Sequence, residues 1–309
     1  CMVNYHDLTL DLLEKSEVNL DVKDDIAKPS LTAFHDGWIR LKKNKAAVVS
    51  LFILILIFLF AVFGPIFSSY DYAKTDYHHT FQLPSREHIF GTDQFGRDQF
   101  ARIWYGTRIS LLIAFAAACL DIFVGVTYGA VSALAGGKVD AVMQRIIEIL
   151  VGIPSLIIII LLMMVMPAGI GTIIIAMSIT GWVNMARLVR AQILKLKSQE
   201  FVLAARILGT NSRKIILKHL IPNTMGVIVI NTMFTIPSAI FTEAFLSFIG
   251  IGLSEPRASL GVLINNGYQV LHNFPHLLIY PAIVIVLIMV CFSILGDGLR
   301  DALDPRMRK

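Results

Sequence analysis

Charge is what this sequence has least of. Asp, Glu, Lys and Arg supply 16% of the 309 residues, where an ordinary soluble domain carries roughly 25%. The deficit is concentrated in long stretches with almost no ionisable side chain. That excludes a pair of soluble domains, the organisation that length alone would permit. Cysteine is sparse too. Of the three, Cys119 and Cys291 lie inside apolar runs, where a thiol behaves as a small hydrophobe. No spacing supports a disulfide framework or a metal site. Also missing are a His-Glu-x-x-His pair, a Gly-rich phosphate-binding loop with its Lys, and a Gly-x-Ser-x-Gly turn. The chain therefore shows no ATP site of its own, and no catalytic residue is assigned. A net charge of +5 would hint at nucleic acid in a soluble protein. Here basic loops beside a membrane account for it, and no nucleic-acid partner is expected.

What the sequence has in abundance is apolar length, 56% of all residues. A helix needs about 20 apolar residues to cross a hydrocarbon core of roughly 30 Å. Six runs meet or approach that length, at about 46–67, 109–135, 149–166, 169–186, 225–248 and 277–296. The uncharged stretch 149–186 is too long for one span, and Met166-Pro167-Ala168-Gly169-Ile170-Gly171 divides it. The expected architecture is an all-α polytopic membrane protein with six transmembrane helices. With the N-terminus inside, segments 1–45, 136–148, 187–224 and 297–309 hold 21 of the 27 Lys and Arg residues. This is the positive-inside pattern, and it places both termini in the cytoplasm. The division expected is a cytoplasmic segment 1–45, a first span 46–67, an extracellular loop 68–108 and a core 109–309 containing the cytoplasmic loop 187–224.

Interface residues fit this scheme. Trp104 and Tyr105 precede span two, and Trp182 lies near the inner end of span four, as an aromatic belt requires. Phe34, Trp38 and Leu41 recur at helical spacing beside Arg40, Lys42 and Lys43, which reads either as a helix on the inner membrane surface or as a solvated basic flank. Residues 1–29 are polar and expected to be loosely ordered. No signal-peptide core precedes Ala46, so the first span is expected to be retained. Cys1 is expected to be an artefact of preparation rather than a lipidated anchor.

Few charges enter the spans, and each costs several kcal/mol unless it meets partners or water. Asp121 falls near the midplane of span two. It faces a translocation path or a polar partner in a companion subunit, or it bonds a neighbouring helix. Glu243, near the outer end of span five, lines the outer mouth or caps a turn. Arg145 and Glu148 are spaced as a local ion pair. Gly125 and Gly129 form a small-xxx-small pair suited to close helix packing, and Pro154 and Pro237 are candidate kinks. His78 and His79 follow Asp76 in the outer loop, where a solvated loop is the better reading than a metal site.

The loop after span four is the most informative segment. Phe201, Ala205 and Leu208 lie at i, i+4 and i+7 on one apolar helical face. Gly209 suits the left-handed stop position. Thr210, Asn211 or Ser212 can cap a second short helix, which Pro222 is expected to end. An apolar face on a water-exposed loop needs cover, either from the chain's own spans or from a groove on another protein.

These residues resemble the signature loop of binding-protein-dependent ABC permeases: Glu-Ala-Ala, three residues, Gly, nine residues, then Ile-x-Leu-Pro. Here Leu203-Ala204-Ala205, Gly209 and His219-Leu220-Ile221-Pro222 stand at the same spacing. Leu203 replaces the family's glutamate, and His219 its isoleucine; Glu200 lies almost one turn earlier. The run His88-Ile89-Phe90-Gly91-Thr92-Asp93-Gln94-Phe95-Gly96-Arg97-Asp98 is similar to the outer-loop signature of peptide and nickel permeases. Residues Glu243 to Gly252 and Gly296 to Pro305 resemble two further family signatures. Together they identify the chain, over about 34–309, as similar to the C-type subunit of oligopeptide or dipeptide importers, with Thr180 to Arg187 closest to the Gram-positive oligopeptide branch.

The resemblance implies a type I importer permease in the cell membrane, surrounded by lipid. It implies a homologous B-type permease as companion, two cytoplasmic ATPase subunits that bind ATP and Mg, and an extracellular lipid-anchored peptide-binding protein. It places ATPase coupling on Glu200, Phe201, Ala204, Ala205, Leu208, Gly209 and Pro222. Dipeptides or nickel are alternative cargoes. A membrane-embedded enzyme or a stand-alone channel is the rival class; the first lacks paired groups at catalytic spacing, and the second would work without ATPase partners.

Overall fold

The computed structural model describes residues 33–303. Cys1, the polar segment 1–29 and the Asp304-Pro305 end of the C-terminal signature lie outside them. The described chain is helical: α1 Ala33–Lys43, α2 Lys45–Phe67, α3 Gln99–Ala135, α4 Gly137–Gly152, α5 Ser155–Val165, α6 Ile170–Lys197, α7 Glu200–Ile207, α8 Ser212–Ile215, α9 Ile221–Phe248, α10 Leu260–Gln269 and α11 His276–Leu303. Five helices are long and apolar enough to cross a membrane, and a sixth crossing is formed if the bent pair α4–α5 counts as one.

A helix, α1, forms where the apolar residues recur beside the basic ones. Leu41 is buried against Ala47, Leu295 and Ala302, while Trp38 is half exposed with the Lys42 ammonium 5.3 Å from its ring centre. Arg145 and Glu148 do pair, at 2.8 Å on an exposed face, where such a bridge contributes little.

Three boundaries differ from the hydropathy reading, each for a local reason. Helix α3 begins at Gln99, ten residues before the expected start at 109. The Asp98 carboxylate accepts a hydrogen bond from the Ala101 N–H at 2.8 Å and caps the first turn. Trp104 and Tyr105 therefore lie inside the helix, stacked on Phe60 and Tyr72.

The expected third span, 149–166, falls across a break between two helices. Ile153 is held extended before Pro154, as the proline ring requires, and α4 and α5 meet at 80°. The eleven residues of α5 rise only about 16 Å, half a bilayer.

Pro222, expected to end a helix, lies instead at the second position of α9. Residues 216–220 form a π turn that joins α8 to α9, with the Ile221 N–H bonded to the Ile216 carbonyl. The wider turn accommodates a ring that would collide with the carbonyl four residues earlier in an α-helix.

The closest packing is between α3 and α6. A Cβ at Gly125 would stand 2.6 Å from the Met185 Cβ, and one at Gly129 would stand 2.4 Å from the Ala186 carbonyl. A third glycine, Gly181 of α6, faces α3 in the same way, over the Asp121 carboxylate. The predicted small-residue pair thus packs within the chain. Around this seam the outer core gathers α2, α3, α6, α9 and α11, and a second cluster below it joins α3 and α6 to the loop after α6.

Gly129→Leu should force α3 from α6. An overpacked buried position typically loses about 1–3 kcal/mol, so the purified protein should aggregate at a lower temperature in a heated size-exclusion assay. Gly171→Ala, where a Cβ would meet nothing within 4 Å, should behave as wild type.

Candidate functional site: an elbow, a cavity and an outer clamp

The loop after α6 is an elbow of two short helices. Helix α7 is set by the Gln199 carbonyl, which accepts from the Val202 and Leu203 N–H groups at 3.0 and 3.1 Å. It stops at Gly209, whose φ of +76° only glycine adopts without strain. The Thr210 N–H reaches back to the Ala205 carbonyl at 3.0 Å. The expected apolar face divides. Val202, Ile215 and Leu220 are buried on Ile193, Val189 and Ile228, with Ala205 beside them. Phe201 and Leu208 point away, because α7 ends at Ile207 and Leu208 falls in the turn. Ile207 and Leu208 are 86% and 84% exposed, with Leu217 and Leu203 near them in sequence and also uncovered. Glu200, Ala204 and Pro222 are exposed as well. The elbow is therefore fixed to its own bundle by one face and leaves a second apolar face free.

Both helices that flank the elbow run on to a cavity of about 450 Å³. Helix α6 contributes Thr180, Gly181 and Asn184, and α9 contributes Asn231, Thr235 and Ser238. Asp121 of α3 also lines it. Its partner in sequence reasoning, Glu243, does not. Glu243 is turned into the seam between α3 and α9, fully buried, where the Ser110 and Ser247 hydroxyls donate to its carboxylate at 2.7 and 2.8 Å. The Ser110 oxygen also accepts from the Leu260 N–H at 3.2 Å, and Ser259 caps α10. Glu243 thus staples α3, α9 and α10 together, which satisfies its buried oxygens with hydroxyl donors.

The outer-loop signature folds back on itself. Thr92 and Asp98 form the only β pairing described. Gly96 has φ +70°, and a Cβ there would strike the Asp76 carbonyl. Gly91, also at positive φ, lies against the Gln82 carbonyl. Asp98 caps α3 and holds the His88 Nδ1 at 2.8 Å. Arg97 is buried, with its Nε 2.7 Å from Asp93 and its guanidinium against both oxygens of Glu255. Burial pulls the Arg97 pKa down, but the Glu255 hydrogen bond and the Asp93 charge outweigh it and hold it above its ordinary value. Burial likewise opposes the charged form of Glu255, and Arg97 and Arg102 overcome it, leaving the Glu255 pKa below the usual carboxylate range. Arg102, fully buried, lies 3.4 Å from Asp93 and 3.7 Å from Glu255 and donates to the Tyr72 carbonyl at 3.1 Å. Asp76, beside the two histidines, serves as a cap: it accepts from the His78 N–H and from the His79 ring.

The six signature residues Gly91, Thr92, Asp93, Gly96, Arg97 and Asp98 come together, but the clamp they build needs Arg102 and Glu255, which sequence reasoning did not single out. Arg102 offered a cue, being a charge one turn into a largely apolar helix. Glu255 offered none, since it meets Arg97 across 158 positions of sequence.

A depressed Glu255 pKa stabilises the fold fully above the unfolded carboxylate value of roughly 4.3, and that contribution disappears as pH falls through the lower folded value. The wild-type melting temperature should therefore drop below about pH 4. Glu255→Gln should melt lower at neutral pH, because two buried guanidiniums lose a counter-charge, and should lose part of the acid-dependent drop. Thermal unfolding in detergent across pH 3–8 measures both.

With this geometry in hand, comparison with known proteins is informative. The family model for the binding-protein-dependent transport system inner membrane component matches residues 125–309, and that for the N-terminal TM domain of oligopeptide transport permease C matches 32–84. The oligopeptide transport system permease protein OppC of Bacillus subtilis is 48% identical over 298 residues, covering 96% of this chain and 98% of the relative. The dipeptide transport system permease protein DppC of the same organism is also 48% identical, over 93% of this chain and 90% of the relative. Among solved structures, an inward-facing MetNI methionine ABC transporter superposes with a TM-score of 0.55 over 66% of this chain and 96% of that one, at 18% identity. That likeness is one of fold.

Proposed function

Because the chain belongs to the family of binding-protein-dependent transport system inner membrane components, we propose that it is a permease subunit of an ATP-driven importer for oligopeptides, and that its elbow receives the motion of an ATPase subunit. Family membership makes it a multi-pass membrane protein whose work depends on ATPase and substrate-binding partners. The finer assignment is two cytoplasmic ATPases binding ATP and Mg, a homologous B-type permease, and an extracellular lipid-anchored binding protein. The positive-inside count supports an elbow on the cytoplasmic side.

One observation carries the coupling role: the elbow is spliced into two helices that line the cavity. Helix α6 runs unbroken from Asn184 to Lys197 just ahead of the elbow, and α9 leaves it at Ile221 and reaches Asn231 within three turns. From Asn184 to Glu200 is about 24 Å of chain at helical rise. A push on the exposed Ile207–Leu208 face therefore moves rigid rods whose far ends form the cavity wall. Asp140 reinforces the inner end, gripping Arg190 of α6 through both oxygens and taking a Ser132 hydroxyl bond from α3. Rods joined this way move as one body, and rigid-body rocking about a fixed site is how alternating access is achieved.

A second reading, dipeptide import, rests on the equal identity to a dipeptide permease protein. Uptake of labelled peptides of graded length separates the two.

The coupling role is tested at Gly209 and on the exposed face. Gly209→Pro cannot keep φ at +76°. The protein should still reach the membrane, while peptide uptake falls to background and the ATPases no longer co-purify. Leu208→Asp adds a charge to a side chain that this chain leaves uncovered. Losing a central apolar anchor costs on the order of 2–4 kcal/mol at an interface, enough to release the partner without unfolding the bundle. Unchanged uptake and association in both variants would refute the coupling role.

A further inference from the structure

The cavity between α3, α6 and α9 has an asymmetric chemistry. Asp121 is the only ionisable side chain among its lining residues. It is 6% exposed, and its Oδ1 has no hydrogen-bond partner. Gly181 provides its seat: a Cβ there would stand 2.4 Å from Oδ2 and 2.6 Å from Oδ1. The carboxylate is thus held in a notch that no other residue type would leave open.

The hydroxyls that α9 brings to this wall are already committed. Thr235 donates to the Asn231 carbonyl at 3.0 Å, Ser238 to Phe234 at 2.9 Å, and Thr242 to Ser238 at 2.8 Å. Each hydroxyl has one proton, and each spends it on its own helix four residues back. What remains toward the cavity is lone pairs. The Asn231 amide hydrogens are directed at the Thr235 oxygen and the Met185 sulfur. The α9 side of the wall therefore offers lone pairs, and Asp121 has no counter-ion among the lining residues, which also include Thr180 and Asn184 of α6.

A group that matches such a wall is a cation with several donors and no acceptor, which describes a primary ammonium. A carboxylate would be repelled by Asp121 and would find only lone pairs on the α9 hydroxyls. We propose that Asp121 engages the amino-terminal ammonium of the transiting peptide, with Thr235, Ser238 and Thr242 as neutral acceptors along the same wall. The inference rests on the reading of the chain as a peptide permease. One carboxylate among neutral acceptors makes a shallow site, as transport requires: a cargo must be able to leave as well as enter. The peptide then travels with its amino end fixed and its carboxylate directed away from this wall. A lysine side chain carries the same ammonium chemistry, and the test separates the two sources.

The experiment uses the importer assembled with its partner subunits in nanodiscs, without binding protein. Phe241, an exposed residue of the cavity rim, is changed to Cys and the native cysteines to Ser. Maleimide labelling of Phe241→Cys is then measured against added tetra-alanine, N-acetyl-tetra-alanine, and N-acetyl-trialanyl-lysine. Tetra-alanine should slow labelling, and the acetylated peptide should need about ten-fold more for the same effect, the scale of one charge-assisted hydrogen bond. Asp121→Asn should erase that difference while leaving the melting temperature unchanged or higher, since an unpaired buried charge is removed. Protection by the acetylated lysine peptide equal to that by tetra-alanine would shift the assignment from the amino end to any ammonium and overturn the fixed orientation. Equal protection by all three peptides, no protection by any, or a difference that survives Asp121→Asn would overturn the site itself. Uptake of tetra-alanine by the complete wild-type importer is measured separately. Its absence counts against the peptide-permease reading, whereas uptake with amine-independent protection counts against Asp121 alone.

Discussion

The close approach of α3 and α6 is the constraint on which the rest of the structure depends. Gly125, Gly129 and Gly181 bring two helices together with almost nothing between their backbones. Inside a membrane there is little hydrophobic force to drive helix association, so close van der Waals contact must supply it. Everything functional is hung on this seam. It seats Asp121, it fixes α6 as one wall of the cavity, and α6 extends from it into the elbow. If the seam opened, the carboxylate would lose its notch and the elbow its lever at the same time.

The placement of charge follows a single rule. Around the signature loop, Asp93, Arg97 and Arg102 are buried and the partly exposed Glu255 reaches both guanidiniums, two charges of each sign. Toward the elbow end of α6, Asp140 and Arg190 are paired through two hydrogen bonds. Glu243, deeper, has no cation but is held by serine hydroxyls. Each of these groups is answered within the chain, and each joins elements that must not separate: loop to loop, α4 to α6, α3 to α9. Asp121 alone is not answered, and it alone of these faces the cavity. A buried charge left without a partner is expensive, so its position on the cavity wall is the feature that sets it apart from the structural charges.

Much of this was legible in the sequence because it depends on local patterns. Long uncharged runs located the spans, and the spacing from Ala204 and Ala205 to Gly209 and Pro222 located the elbow. Gly125 and Gly129 announced close packing. What hydropathy could not register was geometry at the ends of helices. A capping aspartate adds turns that carry Arg102 and Trp104, and so α3 outruns its apolar stretch. A break at Ile153 and Pro154 turns α5 by 80° from α4, although composition there is uniform. Pro222 reads as a stop by its own chemistry, and only a π turn upstream makes it compatible with a continuous helix. The partners of the clamp were hidden for another reason, since Arg97 and Glu255 meet only after the chain has folded around the bundle. The division between Asp121 and Glu243 was invisible as well: both are acidic residues in apolar helices, and what separates them is the presence of Ser110 and Ser247 beside one and Gly181 beside the other.

The distribution of breaks and continuities gives the molecule its mechanical character. Where the chain interrupts a helix by 80°, the segment that follows is short and carries Ser155 and Leu156 to the cavity rim. Where it might have interrupted α9, at Pro222, the π turn restores continuity, so the strut from the elbow to the cavity stays stiff. Gly209 provides the one sharp reversal within the elbow, between α7 and α8, with open space around it. On the coupling role proposed above, stiff struts with a single compact turn between them would carry a displacement at the exposed Ile207–Leu208 face to Asn184 and Asn231 with little loss along the way. The outer clamp and the Glu243 staple oppose that motion at the far end, tying α3, α9 and α10 to the outer loop. On that proposal the bundle has its greatest freedom where neither the clamp nor the elbow acts, at the cavity wall that carries Asp121.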